Sequence, residues 1–360
     1  MQPNPFFGVS LHAAGGLAAG SFYLPFKGVR RWAWESYWLV GGVFSWIIAP
    51  WIAAALIVPD LGRVLASAPA ASLFWSYFFG ILWGVGGLTF GLSMRYLGLS
   101  LGYALALGFC AAFGTLVPPF YDQFISASGE KVTQLLTTLP GRITLGGVLL
   151  CLMGIALCGR AGMLKERQLT AKEKAETIRE FAFTKGVWVA IFAGLMSACM
   201  AFAIQAGAPI AQAAEDLGTP KIWRNLPVFV VVLLGGFTTN CLWCLFLNLR
   251  NGSFRDYAAA GRAPLLLNYL LSATAGVTWY LQFFFYGMGT TQMGKYDFSS
   301  WTIHMAFIIV FSNLWGIQLR EWRGVSRRTI TWVWIGILVL IASTIVIGLG
   351  NHLAAKAPGA

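Results

Sequence analysis

Between Leu11 and Leu349 the chain alternates long apolar runs with short polar loops. A helix rises about 1.5 Å per residue, so about 20 apolar residues cross a bilayer core of about 30 Å. On that scale the pattern predicts ten spans: 8–26, 36–58, 74–96, 99–121, 143–160, 186–205, 227–249, 264–289, 299–319 and 330–350. Runs this long are not barrel strands, and backbone in lipid must satisfy its own hydrogen bonds, so each is expected to be helical. The longest polar break, 161–185, interleaves Lys and Arg with Glu at helical spacing and predicts a solvated or interfacial helix. It separates five spans (1–160) from five more (186–360). Five is odd, so the second half starts on the opposite side from the first. The expected fold is an all-α integral membrane protein of ten transmembrane helices, arranged as two inverted five-helix repeats.

Composition agrees. Of 360 residues, 58% are hydrophobic and only 11% charged, where a soluble chain carries about 25% charged residues. A net charge of +12 would suggest nucleic acid in a soluble protein. Here the basic residues sit beside apolar runs, so membrane lipid and topology account for them and no nucleic-acid partner is expected. The loops after spans 1, 3, 5, 7 and 9 hold 18 of the 25 Lys and Arg residues. That asymmetry predicts a cytoplasmic linker at 161–185 and both termini outside, on the opposite side of the membrane. No Lys or Arg precedes Lys27, so the first run lacks the basic start of a cleaved signal and is expected to be retained. Trp32, Trp34, Trp38, Trp322, Trp332 and Trp334 lie near span ends, where interfacial anchoring is expected. Glycines four apart (Gly16 and Gly20, Gly80 and Gly84, Gly87 and Gly91) predict close helix approach, and the dense run Gly80–Gly91 allows a thinned helix beside a cavity.

The chemistry is sparse. Gly294-Lys295 lacks the spacing of a phosphate-binding loop, and there is no HExxH, no GxSxG and no pair of intramembrane carboxylates. ATP-driven transport and membrane enzymology therefore have little support. The six cysteines lie in apolar runs, and Cys241 and Cys244 have no His, Asp or Glu nearby to complete a metal site. No cofactor is expected beyond a coupling proton. Ionisable groups at membrane depth are expensive and default to functional candidates. Asp297, Trp301 and His304 fall at i, i+4 and i+7, one helical face. A carboxylate near an imidazole could pass a proton, with the aromatic between them holding a sugar ring; a helix cap and a hydrogen-bonded histidine are the plainer alternative. His12 and Glu35 are further proton-coupling candidates. Trp279, Tyr280, Gln282 and Tyr286 join Trp301 as substrate-binding candidates, because aromatic faces suit sugar C–H surfaces and amide or phenol groups bond hydroxyls. Packing alone is the alternative. Glu35 and Arg95, at the inner ends of their spans, could pair as a gate or be ordinary interfacial charges. Gln205, Asn240, Asn268, Ser93 and Ser272 are weaker cavity candidates.

Longer strings carry a resemblance. FYLPFKGVRRWAWESYWLVGGVFSWIIAPW (22–51), GLSMRYLGLSLG (91–102), GRITLGGVL (141–149), GRAGMLKERQL (159–169), WYLQFFFYGMG (279–289) and KYDFSSWTIHMAF (295–307) occur in order along nearly the whole chain. With them the sequence resembles the L-rhamnose–proton symporter family of bacterial inner membranes, within the drug/metabolite transporter superfamily. The resemblance implies ten helices, inward movement of L-rhamnose and coupling to the proton gradient. The alternatives are another transporter of that superfamily, with a different sugar or metabolite or an exporter, and a membrane sensor that binds without transporting. Oligomeric state is not legible.

Overall fold

The computed structural model describes residues 3–97, 99–124, 132–168, 182–258 and 264–356. Among them every regular element is helical. The long helices are α1 (Pro5–Ser21), α2 (Trp34–Ile57, with a π-helical stretch at Val43–Ile48), α3 (Ala70–Leu97), α4 (Leu99–Phe124), α5 (Leu139–Gln168), α6 (Phe183–Ala206), α7 (Leu226–Asn251), α8 (Leu265–Thr290), α9 (Ser299–Gln318) and α10 (Arg327–Lys356). Short helices fill the connections at Leu61–Ser67, Val132–Thr137 and Ala208–Asp216.

Each apolar run of the sequence thus falls on a helix. Seven segments are both long and apolar enough to cross a membrane: Trp34–Ile57, Ala70–Ser93, Leu139–Lys165, Thr184–Asp216, Lys221–Asn251, Ser299–Gln318 and Arg327–Lys356. The chain is a multi-pass membrane protein. Of the other three helices, α1 has only 17 residues, the apolar part of α4 is confined to Leu105–Phe120, and α8 is diluted by Asn268, Ser272, Gln282 and its tyrosines. Of the linker read at 161–185, the first residues continue α5 to Gln168, whereas 169–181 lie outside the described residues.

The chain groups into two compact units. Unit 1 comprises Met1–Leu17, Gly86–Ala201 and Met288–Ala360; unit 2 comprises Ala18–Val85 and Phe202–Gly287. Within lipid, helices gain little from burying apolar surface against one another and associate where small residues let backbones approach. In unit 1 that happens between α5 and α10. A Cβ on Gly154 would meet Leu340, one on Gly336 would meet Cys158, and one on Gly350 would meet Thr144. In unit 2, Gly80 and Gly84 of α3 seat against Val232, Gly236 and Thr239 of α7. The glycine run of α3 therefore divides. Its first members are packing glycines, whereas a Cβ at Gly87 or Gly91 would meet nothing among the described residues.

Candidate functional site

Unit 2 contains an aromatic recess. It is lined by Phe22 and Phe26, by Trp38, Gly41, Gly42, Ser45 and Trp46 of α2, and by Ala275, Gly276 and Trp279 of α8. Two local features of α2 build it. Pro50 has no N–H, so no α-type bond can close on the Trp46 carbonyl. Upstream of it the helix widens into the π stretch Val43–Ile48, and the Ala49 N–H donates to the Phe44 carbonyl, five residues back. Interruptions of this kind recur at functional sites. Gly41 and Gly276 then let α2 and α8 touch, since a Cβ on Gly276 would collide with the Gly41 carbonyl oxygen.

The rings form a box. Phe22 lies 4.3 Å from Trp279 between centroids, Phe26 lies 6.0 Å from Trp38, and Trp38 lies 6.3 Å from Trp46. Trp38 donates its indole N–H to Asn240 Oδ1 at 3.1 Å, and Asn240 donates to the Gly236 carbonyl at 2.9 Å. Three polar atoms in the lining are buried without a hydrogen-bond partner among the described residues: Ser45 Oγ, Trp46 Nε1 and Trp279 Nε1. Buried polar groups are normally bonded, so three in one place call for an explanation. The recess encloses about 10 Å³, room for about one water. A sugar ring enters only if Phe22, Trp46 or their neighbours move.

The substrate candidates separate. Trp279 lines the recess. Tyr280, Gln282 and Tyr286 lie further along α8, all buried, and the Tyr280 hydroxyl has no hydrogen-bond partner among the described residues. Trp301 belongs to unit 1, where it is buried against Gly114 and donates its indole N–H to the Cys110 carbonyl at 3.1 Å. Trp38, read as an interfacial anchor, instead lines the recess, and Trp32 is buried against Tyr257 and Tyr269. Among the weaker candidates, Asn240 holds Trp38, Asn268 bonds both the N–H and the carbonyl of Arg30, and Ser272 Oγ is buried without a partner.

Unit 1 brings two histidines together. His12 of α1 and His304 of α9 are almost fully buried, with ring centroids 6.2 Å apart and His304 hydrogen-bonded to the His12 backbone. Gly289 makes room for the pair, because a Cβ there would lie 2.8 to 3.0 Å from three atoms of the His12 ring. Trp301, one turn before His304, lies 6.4 Å from it. Asp297 precedes the first turn of α9 and is exposed, so only Trp301 and His304 of the predicted triplet share the helix proper.

Glu35, in unit 2, is 4% exposed and has no cation partner among the described residues. Its carboxylate accepts from Asn251 Nδ2 at 2.9 Å and Ser253 Oγ at 2.7 Å. Beside it, Asp256 accepts from the Ala33 N–H and from Ser36 Oγ, both at 2.7 Å. This network ties the start of α2 to the end of α7. The Arg95 side chain lies outside the described residues.

Sequence reading missed Phe22, Phe26, Ser45 and Trp46. The available signal was Gly41-Gly42 followed by Pro50 inside an apolar run, a combination that disturbs a regular helix.

The family model of the L-rhamnose-proton symport protein (RhaT) matches residues 1–354. Curated relatives are similar over almost their whole length. The L-rhamnose-proton symporter of Cronobacter sakazakii is 39% identical over 346 residues, which is 95% of this chain and 97% of that protein. The proteins of the same description from Citrobacter koseri and Shigella sonnei are 36% and 37% identical over the same shares.

Proposed function

The chain belongs to the L-rhamnose-proton symport protein family, and from that premise we propose that it carries L-rhamnose into the cell across the inner membrane together with protons. It is a transporter, not an enzyme. The observation that carries the sugar assignment is the recess of unit 2, where aromatic faces surround polar atoms that lack partners. A pyranose presents apolar C–H faces and a rim of hydroxyls. Trp38, Trp46 and Trp279 offer surfaces for the first. Ser45 Oγ, Trp46 Nε1 and Trp279 Nε1 offer hydrogen bonds to the second. Tyr280, Gln282 and Tyr286 extend the same helix as secondary polar contacts.

The proton is assigned to His304, with His12 as its neighbour and Asp297 as the outer point of entry. Imidazole suits the task because its unperturbed pKa, roughly 6.5, lies close to working pH. Two rings this close do not both hold a charge readily, so the pair takes one proton at a time. Trp301 buttresses His304 and remains a candidate face for the sugar beside it. Glu35 is available on the inner side to accept the proton in transit.

The architecture that accompanies this reading has ten crossings in two inverted five-helix halves, 1–160 and 186–360, with a cytoplasmic linker at 161–185 and both termini periplasmic. Transport follows by alternating access as the halves rock. The test is the medium pH of de-energised cells that express the protein. Added L-rhamnose should make the medium more alkaline, over a panel in which unrelated sugars do not. Unchanged pH with accumulating sugar would leave a uniporter; binding without accumulation would leave a sensor.

A further inference from the structure

The foot of unit 1 carries a cleft that neither sugar nor proton uses. α9 ends in a tight turn in which the Arg320 N–H donates to the Ile317 carbonyl at 3.0 Å and the Glu321 N–H to the Gly316 carbonyl at 2.9 Å. This turn needs a left-handed residue after the helix, a place that glycine fills without strain. Here it is Arg320, at φ 60°. Strain of this kind is retained where something offsets it. The next turn builds the cleft, about 450 Å³, lined by Ile317, Arg320, Trp322, Arg323 and Ile330.

The loop is fixed. Gln168, the last residue of α5, accepts from the Ser326 N–H at 2.6 Å and donates to Thr329 Oγ1 at 2.7 Å. The surroundings are basic and aromatic, with Lys165 Nζ 4.9 Å from the centre of the Trp322 ring and the Arg160 guanidinium 4.4 Å from that of Trp332. Glu321 is the one carboxylate of the loop. It turns toward α9, with Oε2 within 3.6 Å of where a Cβ on Gly316 would stand. Arg320 and Arg323 have no ion-pair partner among the described residues.

We propose that this cleft seats the headgroup of an anionic phospholipid, with Arg320 and Arg323 on the phosphate and Ile317, Ile330 and the Trp322 ring against the glycerol and first acyl carbons. Guanidinium groups match phosphate oxygens in pairs. Basic clefts between helix ends are a common place for such lipids. A free phosphate would satisfy the arginines but leave the isoleucines and the indole uncovered, so a lipid fits the whole lining. The assignment rests on the chain being a membrane protein and is independent of the sugar and proton sites.

The experiment is thermal unfolding of the purified full chain in neutral detergent, with added phosphatidylglycerol, phosphatidylcholine or inorganic phosphate. Phosphatidylglycerol should raise the Tm by about 2–4 °C more than phosphatidylcholine, and inorganic phosphate should not. Arg320→Gly should melt above the parent in detergent alone, because the backbone strain is relieved, yet lose more than half of the phosphatidylglycerol shift. Arg323→Gln, which leaves the turn intact, should lose a similar share. Equal shifts with both lipids, an equal shift with inorganic phosphate, or a full shift retained by both variants would overturn the proposal.

Discussion

Replacing Ser45 by alanine removes one oxygen from the recess and leaves its shape intact. The Ser45 side chain is 2% exposed and its hydroxyl is buried without a partner. A desolvated, unpaired hydroxyl is a liability of about 1–3 kcal/mol, so deleting it should stabilise the sugar-free protein by about that amount. Alanine's better helix propensity adds about 0.5 kcal/mol in the same direction. When sugar fills the recess the sign reverses. A neutral hydrogen bond has a net value of about 1 kcal/mol, and each 1.4 kcal/mol is about tenfold in affinity. Both effects, the relief of the free protein and the loss of the bond, weaken binding and together amount to at least about 2 kcal/mol, so the half-saturating L-rhamnose concentration should rise by more than about tenfold. Two measurements check this: melting of the detergent-purified protein without sugar, and concentration dependence of uptake in proteoliposomes. The opposed directions make the test sharp, since a residue that only packs would move both toward loss of function or neither. An unchanged half-saturation beside a raised Tm would take Ser45 out of the sugar site.

Three further outcomes follow from the geometry. His304→Ala should abolish the sugar-dependent alkalinisation while the protein still inserts, and full coupling in that variant would transfer the proton elsewhere. Gln282→Ala should raise the half-saturating concentration about two- to tenfold, as loss of one neutral hydrogen bond predicts; an unaltered value would confine the sugar to the recess itself. Gly276→Ala drives a methyl into the Gly41 carbonyl, so transport should fall at least tenfold through separation of α2 and α8, and normal uptake would show that this approach is dispensable.

The helical apolar runs, and with them the multi-pass character of the chain, were legible because a bilayer punishes polarity over a length that periodicity reveals. The aromatic character of α8 was legible as well, and Trp279 does line a recess. The other wall was not. Trp38 lies near a span end and reads as an anchor, and Ser45 and Trp46 gain their direction from a π stretch that a 3.6-residue period does not describe. His12 and His304 stood out as rare buried imidazoles, yet nothing in one sequence places residues 292 positions apart at 6.2 Å. The glycines joining α5 to α10 were not legible as a packing face, because Gly147 and Gly154 are seven residues apart and not four.

The widened turn of α2 has a consequence for how this transporter can vary. A π turn is one residue of slack in an otherwise α-helical rod, and one residue is worth about 100° of rotation. Trp38 precedes that slack and Trp46 lies within it, so their shared aim depends on a count as well as on chemistry. Shortening Val43–Ile48 by a single residue would restore regular winding and leave the flanking segments in phase, but it would erase the bulge that aims Ser45 and Trp46 into the recess. Substitutions can retune the selectivity of this wall, whereas a change in its length would dismantle it.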